Sequence, residues 1–262
     1  MAPSAQDRAR DLLTAPPQSV EEGWLDLLGP EPQAGPVTGA AQLLMRAPLL
    51  AQVYEHWWRP ALGRLAKGPF GPGMAQERHL AAEALVLRPG MVVLDVACGT
   101  GAFTRSFADR VGPGGLVIGL DASAPMLRRA VAATSPEAPI AYVRGDAGHP
   151  PLQAGSLDGL CCFAALHMLA RPFEALRAYL RLLRPGGHLV LLTSRRRQIP
   201  VWHEVEGLLM AASGQRGFDL GEIGRALTEA GAEVTQERGF GLAQLVAARV
   251  PGSPGRPAGR GR

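Results

Sequence analysis

The chain has 262 residues, 47% of them hydrophobic and 19% charged, with a formal net charge of +4, which suffices for a sizeable core in one or two domains. Its 33 Gly and 23 Pro make up about a fifth of the residues, short of the ~25–30% of a low-complexity chain, so wholesale disorder is excluded, as are a collagen-like repeat and a coiled coil. Three cysteines (Cys98, Cys161 and Cys162) cannot build a disulfide framework and lack the CxxC spacing of a zinc site; the excess positive charge sits in Arg195–Arg197 and the tail arginines, so charge alone does not point to nucleic acid.

Residues 1–39, rich in Pro, Gly, Ala and Gln, read as a flexible leader with one short apolar stretch, Trp24–Leu28, and one docked turn of helix. The opening MAPSAQDRARDLLTAPP lacks the apolar segment of a secretory signal. No stretch approaches the ~20 apolar residues of a membrane span, so the expected compartment is the cytoplasm. Residues 40–70 read as a helical cap in which Tyr54, His56, Trp57 and Trp58 cluster. They either pack a helix onto the edge of the folded body or roof an acceptor site.

From 71 to 250, short apolar runs alternate with helical patterns. Met91–Val96 reads as a buried strand leading into a glycine turn, then helix Ala102–Val111, strand Leu116–Leu120, and a helix capped by Ser123 that runs to about Ala133. Strands Ile140–Val143 and Leu157–Phe163 follow. Helix Pro172–Leu183 places Phe173, Leu176, Leu180 and Leu183 at spacings of three and four, Pro185-Gly-Gly ends it, and His188–Thr193 is a strand. Helix Leu220–Ala230 precedes a hairpin-like pair, Ala232–Arg238 and Gly241–Ala248. This order predicts an α/β, Rossmann-like, seven-stranded sheet, mostly parallel with one antiparallel strand and helices on both faces. The tail, 251–262, has no apolar side chain beyond Ala and Pro and is expected to be basic and disordered.

The run VVLDVACGTGAFTRSFA, residues 92–108, ends a strand in Asp95 and turns through Gly99 and Gly101 into a helix. Such glycines let a ligand approach the backbone, and the helix start offers free N–H groups. Asp121 ends the next strand, where a carboxylate accepts both hydroxyls of a ribose, and Asp146 follows the third. A tight turn with solvated acids is the plain alternative. Three acids at the C-terminal ends of three successive strands favour a ligand, because open α/β sheets bind there. Thr104 stands where GxGxxG requires a third small residue, which argues against a dinucleotide.

In this order, VLDVACGTG (93–101), GLDAS (119–123), GDAGHPPL (145–152), SLDGLCCFAALHML (156–169) and LRPGGHLVLL (183–192) resemble the class I S-adenosylmethionine-dependent methyltransferases, nearest to small-molecule enzymes related to the quinone C-methyltransferases. The resemblance covers about residues 85–250. It implies that Asp95, Ala97, Gly99 and Gly101 wrap the methionine part of S-adenosyl-L-methionine and that Asp121 holds the ribose diol. Ala122 and Met126 would lie beside the adenine, Asp146 and Ala147 at its edge, and Phe163 would face the sulfonium. Ala97–Cys98 departs from the Gly that many relatives carry at one of these positions. CFAALH stands where an NPPY-like or DPPY-like motif would follow Leu157–Phe163, which speaks against methylation of a base or amide nitrogen.

His167 is the candidate catalytic residue, as a general base, against a pocket-wall histidine satisfied by backbone. The cysteines read as small buried hydrophobes and Arg195–Arg197 as a solvated loop. The implied reaction is in-line methyl transfer to a small, partly apolar acceptor through a C, O or N nucleophile, releasing S-adenosylhomocysteine. No metal and no nucleic-acid partner is expected, and the oligomeric state is open. Two alternatives stand beside it: a macromolecule (RNA or protein) methyltransferase, and a non-methylating protein that keeps the cofactor-binding fold.

Overall fold

The structure, a computed structural model, describes residues 3–20, 22–29, 73–196 and 216–252. The cap expected at 40–70 and the tail beyond residue 252 lie outside them. In chain order the described elements are α1 (Ala5–Arg10), β1 (Leu25–Asp26), α2 (Met74–Ala84), β2 (Val92–Val96), α3 (Ala102–Val111), β3 (Leu116–Asp121), α4 (Ala124–Ala132), β4 (Ile140–Arg144), β5 (Leu157–Phe163), a 3-10 turn at Leu166–Met168, α5 (Pro172–Leu182), β6 (Leu183–Ser194), α6 (Glu222–Glu229), β7 (Glu233–Phe240) and β8 (Ala243–Arg249).

The strands form one eight-stranded sheet in the order β1-β4-β3-β2-β5-β6-β8-β7. Neighbours from β1 to β6 pair parallel, and β8 pairs antiparallel with both β6 and β7. β8 is therefore the reversed strand, as the hairpin-like pair of runs predicts. The reversal of strand order between the β3 and β5 sides of β2 is the switch point at which such sheets open a crevice.

The alternation of strand side chains divides the core into two layers. Val93, Val117, Tyr142, Cys161 and Val190 pack with Phe107 and Val111 of α3 and Leu127 of α4. Leu94, Ile118, Leu160, Cys162 and Leu191 pack with Tyr179 and Leu180 of α5 and Ile223 and Leu227 of α6. The pattern that predicts the α5 amphipathic face thus matches what it buries. Among the described residues no helix is long and apolar enough to cross a membrane.

Three expectations differ. The sheet has eight strands instead of seven, because Leu25–Asp26 pairs parallel with Val143–Arg144 at its edge. Residues 3–20 and 22–29, expected to be mostly flexible, are docked on the sheet. Ala9, Leu13 and Leu25 enter the α5 layer of the core and Trp24 the α3 layer. Arg8 donates to the Gly115 carbonyl at 2.8 Å and Gln153 N–H to the Leu12 carbonyl at 2.8 Å. Finally, β6 begins at Leu183, with a register break between the pairs Leu157–Leu183 and Gly159–His188 that carries Pro185-Gly-Gly.

Candidate functional site

The parallel register aligns Val96 with Leu120, Leu120 with Val143, and Val96 with Cys162. The C-terminal ends of β2, β3, β4 and β5 therefore share one edge, and the loops leaving it carry the residues singled out above.

After β2, three residues in five adopt the left-handed backbone: Ala97 (φ 56°), Gly99 (φ 56°) and Gly101 (φ 76°). At Gly101 a Cβ would collide with the Tyr142 hydroxyl, so this position demands glycine on two counts. Gly119, beneath the loop, makes room of another kind: a Cβ there would lie 2.8 Å from the Tyr142 ring and 3.1 Å from Cys98 Sγ. Ala97 and Ala164, the residue after β5, are non-glycine residues held left-handed at the ends of paired strands. Each such residue costs on the order of 1–3 kcal/mol, and such strain gathers at ligand sites.

Asp95 is buried, and Thr104 Oγ1 of α3 donates to its Oδ2 at 2.6 Å. Thr104 thus fixes the carboxylate beneath the loop. Asp121 bridges two loops: its Oδ2 accepts the Gly99 N–H at 2.8 Å and its Oδ1 the Ser123 N–H at 2.9 Å. Both carboxylate oxygens are thus engaged by backbone N–H groups, which fixes the direction of the carboxylate at the strand end.

Ala122 is exposed beside it, and Met126 is buried in the first turn of α4, whose cap is Ser123. Asp146 is exposed and organises its own loop, accepting Gly148 N–H at 2.8 Å and facing His149 Nδ1 at 3.2 Å. The Ala147 carbonyl is held by the hydroxyl of fully buried Tyr179 at 2.8 Å.

Phe163 is buried with its ring against Phe103, centroids 4.9 Å apart, so core packing takes one side of it and the exposed residue at that strand end is Ala164. His167 lies partly exposed in the 3-10 turn, with Nδ1 3.4 Å from Thr193 Oγ1. Burial lowers its pKa from 6.5 to about 4, which makes the ring neutral at pH 7 but a weak base. Its carbonyl accepts the Arg216 N–H at 2.9 Å, and the Arg216 guanidinium lies over the rings of Phe173 and Phe218 at 4.9 and 5.5 Å.

The three cysteines are free and buried. Burial raises the pKa of Cys98 and Cys161 well above the usual thiol value and that of Cys162 to about 12, so all three are neutral thiols and none is an activated nucleophile. Arg196 is half-buried and pairs with Asp219 at 3.6 Å instead of standing in a solvated run.

Thr104, Tyr142, Tyr179 and Arg144 support the site and escaped the sequence reading. In the sequence Thr104 reads only as the residue that breaks GxGxxG. Arg144 had a visible signal: a charge closing an otherwise apolar strand.

A Rossmann-like sheet with an acid-bearing glycine loop at its switch point and a second acid at the next strand end defines a nucleotide-cofactor domain. Residues 94–191 match the family model described as a methyltransferase domain. An uncharacterised chloroplastic methyltransferase of Arabidopsis thaliana is 36% identical, over 56% of this chain and 42% of its own length. A demethylmenaquinone methyltransferase of Lactococcus lactis is 34% identical, over 44% of this chain and 46% of its own. The chain thus spans under half the length of either relative. A solved S-adenosylmethionine-dependent methyltransferase from Aquifex aeolicus superposes with a TM-score of 0.56 at 18% identity, covering 78% of this chain and 98% of that one, and shares the fold. Residues 94–191 therefore match a methyltransferase domain, on a fold shared with solved S-adenosylmethionine-dependent methyltransferases.

Proposed function

We propose that the chain transfers a methyl group from S-adenosyl-L-methionine to a small, partly apolar acceptor and releases S-adenosylhomocysteine. The observation that carries this reading is the Asp121 carboxylate, fixed in direction by the Gly99 and Ser123 N–H groups at the strand end beside the left-handed turn. In this reading Asp95, Ala97, Gly99 and Gly101 hold the methionine part, Asp121 the ribose, Ala122 and Met126 the adenine face, and Asp146 and Ala147 its edge. Phe163 closes the pocket on the methyl side. A sulfonium methyl is already activated, so the chain's contribution is alignment and exclusion of water.

His167 lines the pocket in this reading. A neutral ring with its pKa near 4 and a Thr193 contact suits a wall better than a base matched to neutral pH. The acceptor class rests on the apolar and aromatic residues of 40–70 and on the small-molecule substrate named for the Lactococcus relative. The cytoplasm is the compartment that the three free thiols fit.

The test is a calorimetric titration with S-adenosylhomocysteine. The wild-type chain binds it and Asp121→Ala binds more weakly by ~1.5–3 kcal/mol, the range of a hydrogen bond to a charged group. Binding of NAD in place of S-adenosylhomocysteine would overturn the reading. Binding without methyl release onto any quinone or phenol acceptor would favour a protein that keeps the fold for another use.

A further inference from the structure

Arg144 closes β4 with its side chain buried, and Asp26 of β1 is buried beside it. Arg144 Nη1 lies 3.0 Å from Asp26 Oδ2 and donates to the Gly29 carbonyl at 2.6 Å. Asp26 Oδ1 in turn accepts the N–H groups of Leu28 and Gly29 at 2.9 and 3.0 Å. Burial works against this carboxylate, yet the guanidinium and the two N–H groups hold its pKa below the usual range. On its other side, Arg144 Nε donates to the Ala122 carbonyl at 3.2 Å. Ala122 sits between Asp121 and Ser123, which are themselves joined by the Ser123 N–H to Asp121 Oδ1 bond. One guanidinium therefore clamps the N-terminal strand with one arm and the Asp121–Ser123 turn with another.

A two-residue edge strand could be held by apolar packing alone, and burying an ion pair for that purpose gains little. A planar fork is better suited to fixing two backbone segments at once. We propose that Arg144, held by Asp26, is a positioning residue for cofactor binding. It sets the turn so that the Asp121 carboxylate meets the ribose, and it couples docking of the N-terminal strand to occupancy of the site. This rests on the role given to Asp121 under Proposed function.

Coupling of two sites is reciprocal, so the test reads it from both ends. In the wild-type full chain, S-adenosylhomocysteine slows amide hydrogen exchange at Leu27, Leu28 and Gly29, none of which is assigned to the cofactor. In Asp26→Asn and Arg144→Lys, its affinity falls about five- to thirtyfold, within the usual range of such couplings, and the slowing at Leu27–Gly29 is lost. A merely structural pair would lower the melting temperature and leave affinity and ligand-dependent exchange as they are, and that result overturns the proposal. The exchange measurement needs no variant, so it decides the matter even if Arg144→Lys folds poorly. Failure of the wild-type chain to bind S-adenosylhomocysteine would instead overturn the reading of the site itself.

Discussion

The two edges of the sheet are closed by ion pairs of opposite character. At the β1 edge, Asp26 and Arg144 are buried, share their hydrogen-bonding capacity with backbone groups, and stand next to the candidate site. At the β7 edge, Glu233 and Arg249 face each other across the β7–β8 ladder at 2.6 Å with about half of each side chain exposed, and every residue of β7 is at least partly open to solvent. The contrast teaches that a short distance does not rank an ion pair. Burial decides both what the pair costs to assemble and what it costs to break.

The largest expected effect follows from that asymmetry. Arg144→Met leaves the Asp26 carboxylate buried without its charge partner and should destabilise the fold by about 3–5 kcal/mol. The double variant Asp26→Leu with Arg144→Met removes both charges and should recover most of that loss, since apolar replacement of a whole buried pair is often near neutral. Urea denaturation of both variants checks this. Equal losses in the single and double variants would mean that the edge is held by the guanidinium's bonds to Gly29 and Ala122, with the Asp26 charge contributing little.

His167, partly exposed at the open strand ends, should show an intermediate effect, read through pH. Its pKa is lowered by burial from 6.5 to about 4, so below pH 6.5 the unfolded chain takes up a proton that the folded chain refuses. Stability is therefore full above about pH 6.5 and falls as the pH drops towards 4, by at most about 1.4 kcal/mol per pH unit for one proton. It levels off below that. His167→Phe should flatten this part of the profile in thermal melts taken between pH 7 and 4. An unchanged slope would assign the acid loss to other groups. In a methyl-transfer assay, His167→Ala should reduce turnover by less than about tenfold if the ring is a wall, against ~10²–10⁴ for a general base.

What the sequence disclosed and what it hid follow the same division. β2 to β5 are near-continuous apolar runs, and that pattern is local, so their positions and the acids Asp95, Asp121 and Asp146 at or near their ends were legible. β1 is only Leu25–Asp26, too short for any periodicity, and its reason for existing lies 118 residues away in Arg144. A leader rich in Pro and Gly looked flexible because composition cannot show that Ala9, Leu13, Trp24 and Leu25 find core neighbours. Thr104 and Tyr179 escaped for a related reason: a buried hydroxyl is explained by the carboxylate or carbonyl it reaches, and neither Asp95 nor Ala147 is adjacent in the chain.

The smallest effect belongs to the β7 edge and is the sharpest test of the contrast. Glu233 and Arg249 are cross-strand partners in register, so Coulomb attraction and strand pairing act along one line and the geometry is as favourable as a surface pair offers. Solvent still screens both charges, and ordering two long side chains costs rotamer freedom. A double-mutant cycle with Glu233→Ala and Arg249→Ala should therefore return a coupling of about 0.2–1 kcal/mol, shrinking as salt is raised, because exposed charges are screened within a Debye length of ~8 Å at 0.15 M salt. The same cycle on Asp26 and Arg144 should return a larger coupling that salt barely changes. If the Glu233–Arg249 coupling matched the buried pair's and resisted salt, exposure would not be what separates the two edges, and the difference would have to lie in the backbone bonds that Arg144 alone makes to Gly29 and Ala122.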